Sequence, residues 1–294
     1  MLPRFELLMP ESLPEALMML GDGELDASPL AGGTNLIPDM RAGKRRPDVL
    51  VNVHGLRELR EIRRDNGHMV VGSGVTIAEL LESQLMAEHG AVLVAAAQRF
   101  ANPLVRNRAT LGGNLGNASP AADMAPPLLV LDAEIELSTS DGRRWVSLQN
   151  FFVNVCDTVC EPSELITAVR WPVPPPRSLG DFHKVMLRKA MAISVVSAAA
   201  HICLDEEGRC QQVRIALGAV APTPVRASEA EELLRGERLT PDLIEKARPV
   251  ACGAASCIDD VRSSAAYREQ VTAVLVRRLL NQLAEDAGQW GGGR

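Results

Sequence analysis

The sequence predicts an α+β protein built as two domains. Three observations carry that prediction. Short strand-like and helix-like segments interleave between residues 12 and 171. A proline run, Pro172-Val173-Pro174-Pro175-Pro176, then interrupts the chain, and it sustains neither a helix nor a central strand. Beyond it, two strand-like segments meet across Asp205-Glu206-Glu207-Gly208, after which the chain turns helical. The division falls into residues 1–174 and 177–290, and 294 residues are enough to form two cores.

Each element has a local reason. Ser12-Leu13-Pro14-Glu15 is a capping-box start, with Ser12 accepting an early backbone N–H and Glu15 reaching back to the cap. Leu13, Leu17 and Leu20 form the apolar stripe, and Gly21 and Gly23 end the helix. Ser28-Pro29-Leu30-Ala31 closes a short strand, and residues 49–53 form another. Ile62 and residues 68–71 pair around the turn Asn66-Gly67. Thr76-Ile77-Ala78-Glu79 opens a second capped helix. Residues 89–98 form the next, which ends before Asn102-Pro103 because a residue preceding proline avoids helical geometry. Residues 112–117 read as a loop, 118–127 as irregular chain, and 128–131 as the start of an ordered element. Residues 134–137 and 143–146 flank the hairpin signal Asp141-Gly142, and 165–171 form a strand. In the second domain, 192–204 and 213–220 are strands and Pro241 starts a helix. The last helix spans residues 264–283, with Tyr267, Val271, Val274, Leu275 and Leu279 on one side.

Composition excludes several classes. A net charge of -6 provides no general basic surface for nucleic acid, and the basic residues 41–46 read as a solvated loop. No 18-residue apolar stretch exists to span a membrane. Glu6 and Pro10 stand where a signal peptide needs continuous apolar chain, so the six cysteines are expected as reduced thiols in a cytoplasmic protein. Cys156-x-x-x-Cys160 has no Cys-x-x-Cys companion, and neither has the pair Cys252 and Cys257, so no metal site is expected.

The chemistry concentrates in two glycine motifs, Ala31-Gly32-Gly33-Thr34-Asn35 and Thr110-Leu111-Gly112-Gly113-Asn114. Paired glycines allow positive φ and close backbone approach, and successive N–H groups can form an anion-binding nest. Thr34 or Thr110 adds a hydroxyl, while Asn35 or Asn114 adds an amide donor or an internal brace. Two such loops suit the two halves of a pyrophosphate, and the same residues equally serve tight structural turns. Neither motif is GxGxxG, and no GxxxxGK[ST] is present. Gly72-Ser73-Gly74 reads as a plain turn. No acid–base triad is found, so no catalytic residue is assigned.

Arg108-Ala109-Thr110-Leu111-Gly112-Gly113-Asn114, followed by Ala118-Ser119-Pro120-Ala121-Ala122-Asp123, combines with the first motif and Phe100 into a specific pattern. It resembles the FAD-binding subunit or domain of the molybdenum hydroxylases, the family of xanthine dehydrogenase, aldehyde oxidoreductases, carbon monoxide dehydrogenase and N-heterocycle dehydrogenases. Phe151-Phe152, Glu164-Leu165-Ile166, Pro172 and Lys184-Val185-Met186-Leu187-Arg188-Lys189 extend the resemblance over nearly the whole chain. It implies a PCMH/VAO-type FAD-binding domain of two subdomains, then a smaller C-terminal domain with an antiparallel sheet and helices. It implies FAD contacts at Pro29, Leu30, Ala31, Gly32, Gly33, Thr34, Asn35 and Leu36, and at Thr110, Leu111, Gly112, Gly113 and Asn114. Phe100 would pack beside the cofactor, Asp123 would accept a hydrogen bond from a sugar or amide, and Ile166 and Lys184 would approach from the far part of the site.

The resemblance also implies partners: a small subunit with two [2Fe-2S] centres and a large molybdopterin subunit that oxidises the substrate, in a heterotrimer or its dimer. Electrons would leave through FAD to NAD, oxygen or another acceptor. Two other readings use the same fold: a stand-alone FAD-dependent oxidase or reductase, and a non-catalytic assembly or binding protein with a degenerate site. Two departures stand out. Asn154-Val155-Cys156-Asp157 replaces the glycine and lysine that many members carry before Thr158, which removes any contact made by that lysine. Ala190-Met191-Ala192-Ile193 lacks the acidic residue common after the basic pair. The inserted cysteine-rich segment of relatives that reduce aromatic acyl-CoA esters is absent.

Overall fold

The structure, a computed structural model, describes residues 2–23, 26–188 and 193–290. Lys189 and residues 190–192, part of the basic pair and of the departure beside it, lie outside the described residues. The first subdomain contains β1 (Glu6–Leu8), α1 (Leu13–Leu20), β2 (Ala27–Leu30), α2 (Leu36–Arg41) and β3 (Val49–Asn52). Its strands are parallel in the order β1-β3-β2. Ala16, Leu17 and Leu20 of α1 pack on Val49 and Val51. Ser12 caps α1 by accepting the Glu15 N–H at 3.4 Å, but the Glu15 carboxylate takes the Glu11 N–H at 2.7 Å, one residue before the expected capping-box position. Because β2 and β3 run parallel, the first glycine motif and residues 53–55 leave the same end of this sheet.

The second subdomain opens with the hairpin β4 (Ile62–Asp65) and β5 (His68–Gly72). Asn66 and Gly67 both take positive φ at its turn, as a primed turn requires. The helices α3 (Ile77–Glu82), α4 (Gln84–His89), α5 (Ala91–Gln98), α6 (Pro103–Arg106), α7 (Leu111–Gly116) and α8 (Ala125–Val130) follow. Then come β6 (Glu134–Ser138), β7 (Arg143–Ser147), the small hairpin β8 (Phe152–Asn154) and β9 (Asp157–Thr158), and β10 (Leu165–Pro172). Five of these strands form an antiparallel sheet, β4-β5-β10-β6-β7. Thr76 and Glu79 complete the expected capping box.

Two expectations fail here. Residues 112–117 are largely helix, not loop, because α7 is capped by Thr110 and anchored by carbonyls from residues 73 and 75. The helix α8 begins at Ala125 rather than beyond Pro127, with its prolines in the first turn, where a missing N–H costs nothing.

The C-terminal sheet is β11 (Ser178–Met186), β12 (Ser194–Leu204), β13 (Cys210–Gly218) and β14 (Val225–Arg226), antiparallel in that order. It is covered by α9 (Ser228–Leu234), α10 (Pro241–Cys252) and α11 (Ala265–Trp290). Val196, Ala198, Ala200 and Ile202 of β12 face this helical layer and its core. Phe182, Ala199 and Ala216 face the other way and join the core of the second subdomain under α5 and α8. Small residues permit that approach: a Cβ on Gly218 would lie 2.8 Å from the Pro126 ring, and one on Gly180 3.1 Å from Val92.

The stripe on α11 keeps Val271, Leu275 and Leu279 of the expected set and adds Val276, Leu280 and Leu283. Tyr267 is exposed, whereas Arg268 is buried and donates to the Val195 and Ala219 carbonyls at 2.9 and 2.8 Å and to Asp260 at 2.6 Å. A charged residue with three fixed acceptors does not register as core in a hydrophobic pattern.

His201 of β12 is buried at the interface between the domains. Burial, followed by the nearby Arg214 cation, lowers its pKa from 6.5 to about 4, against the smaller upward effect of Asp132. The folded chain therefore keeps His201 neutral while the unfolded chain takes up a proton below pH 6.5. Stability should fall as the pH drops from 6.5 toward 4, by on the order of 3 kcal/mol from this residue at ~1.4 kcal/mol per pH unit. Urea titrations across that range should show His201→Gln with a flatter acid limb. An identical limb in the variant would contradict the assignment.

Candidate functional site

The site starts at the C-terminal end of β2. Pro29 is exposed and Leu30 half-buried, and the chain then turns through Ala31-Gly32-Gly33 into α2. Gly33 has φ +69°, a conformation that L side chains rarely adopt. Gly32 is constrained differently: a Cβ there would lie 1.9 Å from the Arg108 carbonyl oxygen and 2.6 Å from its carbon. The first motif therefore rests directly on the backbone that leads into the second.

The two motifs differ in what they can donate. Among the described residues, the N–H groups of Ala31, Gly32, Gly33, Thr34, Asn35 and Leu36 have no acceptor. Asn35 precedes α2 without a side-chain cap bond, so its amide is also uncommitted. In the second motif the donors are used. Leu111 N–H binds the Val75 carbonyl at 2.9 Å, Gly112 N–H the Ser73 carbonyl at 2.8 Å, Gly113 N–H the Thr110 Oγ1 at 3.0 Å, and Asn114 N–H the Thr110 carbonyl at 3.0 Å. The two motifs, alike in sequence, thus differ in their free backbone donors. The first is an open run of donors; the second is a braced helix start beside it.

Gly112 packs against Ser73, where a Cβ would come within 2.5 Å of the serine Cβ. Gly113 is exposed; a Cβ there would lie 2.9 Å from Thr110 Oγ1 and 3.9 Å from the Ala31 Cβ. The Gly72-Ser73-Gly74 segment, read as a plain turn, is the support on which the second motif sits. Ile166 of β10 is buried and lies 3.4 Å from the Cβ position of Gly116 at the far end of α7. Phe100 is half-buried against the second-subdomain core. Beside it, residues Gln98, Arg99, Ala101, Asn102, Pro103, Arg106 and Met186 line an open cleft of about 340 Å³.

Asp123 and Lys184 form a buried pair. Lys184 Nζ donates to Asp123 Oδ2 at 2.6 Å, and the side chains are 1% and 9% exposed. Ser194 Oγ donates to the other oxygen at 2.6 Å. Burial pushes the Asp123 carboxyl up, and Lys184 and Ser194 act to keep it charged. The two residues expected at the cofactor from different parts of the chain are thus brought together as each other's partner. Asn114 Oδ1 accepts the Met124 N–H at 3.3 Å, which is the internal brace among its two expected roles.

Sequence reasoning missed His54 and Ser194. His54 follows β3 at the same sheet end as the first motif, and its Nδ1 is buried without a partner. Burial, then Arg108 and Arg60, lower its pKa. Arg108 is exposed and carries no ion pair among the described residues. Neither residue lies in a glycine motif's donor pattern, and only the parallel pairing of β2 with β3 could have pointed to His54. The hairpin of β8 and β9 reaches the same region: Cys156, at φ +55°, donates its N–H to the Ala118 carbonyl at 3.0 Å. The departure at Val155-Cys156-Asp157 therefore sits just past the end of α7.

The geometry sets an open run of donors beside a braced helix start, and comparison with known proteins supplies the family. Residues 3–174 match the FAD binding domain in molybdopterin dehydrogenase, and residues 181–283 match the CO dehydrogenase flavoprotein C-terminal domain. The chain belongs to the family of FAD-binding subunits of molybdenum hydroxylases, an oxidoreductase family. It is 31% identical over 279 residues to the xanthine dehydrogenase FAD-binding subunit of Escherichia coli O157:H7, covering 94% of this chain and 95% of that one. It is 32% identical over 278 residues to the carbon monoxide dehydrogenase medium chain of Afipia carboxidovorans, covering 95% and 96%. Among solved structures, carbon monoxide dehydrogenase from Hydrogenophaga pseudoflava lacking the Mo-pyranopterin moiety superposes with TM-score 0.93 at 30% identity, covering 98% of this chain and 99% of that one. The two-subdomain architecture and antiparallel C-terminal sheet agree with this membership.

The crossing at Gly32 gives a ligand-free test. Gly32→Ala should lower the stability of the chain without cofactor by about 1–3 kcal/mol, because overpacking here meets backbone rather than a movable side chain. Thermal melting of the cofactor-free protein reads this directly. An unchanged melting temperature would show that the two motifs do not touch there.

Proposed function

We propose that this chain holds FAD with its pyrophosphate on the first glycine motif and serves as the electron-transfer subunit of a molybdenum hydroxylase complex. The observation that carries the site is the run of uncommitted N–H groups from Ala31 to Leu36. Such a run favours an anion in close backbone contact. Gly33 shapes the turn, and Pro29 and Leu30 deliver the chain to it. Thr34 and Asn35 add side-chain donors, and Arg108 adds positive charge beside the loop.

The second motif contributes shape rather than backbone donors. Exposed Gly113 leaves room for a ligand next to Ala31, while Leu111 and Gly112 are buried and fix α7. The Thr110 hydroxyl accepts from Gly113 and keeps its own proton to donate. Phe100 shields one side from water, Ile166 supports α7, and the Asp123–Lys184 pair places opposite charges at the junction with the C-terminal domain. Bound FAD supplies the one- and two-electron chemistry. This chain's residues bind it, orient it and limit solvent access.

The assembly reading rests on the relatives, whose names describe medium or FAD-binding subunits of multi-subunit dehydrogenases. By that reading a small subunit with [2Fe-2S] centres delivers electrons, and a large molybdopterin subunit oxidises the substrate. The acceptor is NAD, oxygen or another oxidant, and the complex is a cytoplasmic heterotrimer or its dimer. No helix among the described residues is long and apolar enough to cross a membrane.

Native purification of the tagged chain should yield FAD, iron and molybdenum in one complex. FAD with neither metal would overturn the assembly and leave the binding site standing. In the full chain, Gly113→Val should weaken FAD binding about tenfold or more, ~1.4 kcal/mol, since its Cβ would crowd Thr110 Oγ1 and its methyl groups would enter the space facing Ala31. Equal affinity in the folded variant would remove Gly113 from the site.

A further inference from the structure

We propose that Ser194 is a positioning residue of the FAD site, holding the Asp123 carboxylate from the C-terminal domain and through it the chain that braces the second glycine motif. The inference rests on the FAD reading above. Ser194 is fully buried, and its Oγ donates to Asp123 Oδ1 at 2.6 Å. Lys184 donates to Oδ2 at 2.6 Å. Each carboxylate oxygen is therefore held by a separate donor, and both donors belong to the C-terminal sheet.

The backbone is bent to make this possible. Strict alternation along β12 would send Ser194 to the same face as Val196 and Ala198, toward the helical layer. The register shift that opposes Met186 to Ser194, after Val185 to Val196, turns Ser194 toward the first domain instead. There it meets Asp123. The next residue, Met124, donates its N–H to Asn114 Oδ1, so the clamp continues into the second motif.

The chemistry explains why a hydroxyl is needed in addition to the lysine. A buried carboxylate paired with one cation retains unsatisfied acceptor capacity, and an ion pair taken out of water is kept only when further hydrogen bonds complete it. Ser194 completes it on the side away from Lys184. Its loss would leave Asp123 freer to turn and easier to protonate, because the hydroxyl is one of the groups that keeps the carboxyl charged.

The test uses the full chain and free FAD. Ser194→Ala should weaken FAD affinity about tenfold, the scale of one hydrogen bond to a charged group. The acid limb of FAD retention should move to higher pH in this variant, since Asp123 protonates earlier. Ser194→Cys, which keeps the shape with a weaker donor, should fall between. The melting temperature of the cofactor-free chain separates this from a purely structural role. A lowered melting temperature with unchanged affinity and an unchanged acid limb would overturn the proposal. Unchanged behaviour in every respect would overturn it too. A wild-type chain that holds no FAD sinks the cofactor reading and this proposal with it, whereas the variant results above leave that reading intact.

Discussion

At Gly32 one backbone lies against another with no room for a methyl group. The Cβ position stands 1.9 Å from the Arg108 carbonyl oxygen, so the end of β2 and the entry to α7 are locked at a fixed separation. Much of the site follows from that contact. It brings Ala31 opposite Gly113 and sets the Arg108 backbone against the first motif, with the Arg108 charge acting on His54. The division of labour between the motifs follows as well. Leu111, Gly112 and Gly113 have spent their donors on Val75, Ser73 and Thr110, which makes α7 a rigid wall. The residues from Ala31 to Leu36 have spent none, and they remain the part of the site able to bind charge.

The second constraint comes from the far domain. The C-terminal sheet has two buried faces, one against its own helices and one against α5 and α8. Gly180, Ala199, Ala216 and Gly218 keep the inner face flat enough for close docking. Polar contacts mark both ends of the interface. At one end Asp132 binds Arg214 at 2.5 Å and Arg226 at 3.0 Å, and Arg226 in turn binds Glu231. At the other stand Asp123, Lys184 and Ser194. The domain that carries no glycine motif thus sets the position of an acid at the edge of the site.

What could be read from the sequence was what local chemistry determines. Thr76 with Glu79, Pro241 at its helix start, and the Asn66-Gly67 turn each act within four residues, and each forms as expected. The family pattern around residues 108–123 was legible because its residues are contiguous. The helical state of α7 was hidden because Gly-Gly disfavours helix, and carbonyls from residues 73 and 75 override that preference. β11 was missed because Ser178, Gly180, Asp181 and Lys184 dilute its strand pattern; its pairing with β12 supplies the order instead. The partners of Asp123 lie 61 and 71 residues away, beyond any periodicity. The acceptors that hold buried Arg268, the carbonyls of Val195 and Ala219, lie 73 and 49 residues away.

The central claim is that the first motif's free N–H groups, and not those of the second, receive the cofactor's pyrophosphate. Amide hydrogen exchange on the full chain, with and without FAD, separates the two. Residues 31–36 should exchange freely alone and become protected when FAD binds, while the amides of Leu111, Gly112, Gly113 and Asn114 should be protected in both states. Protection that appears on FAD binding at residues 111–114, with none gained at 31–36, would contradict the account.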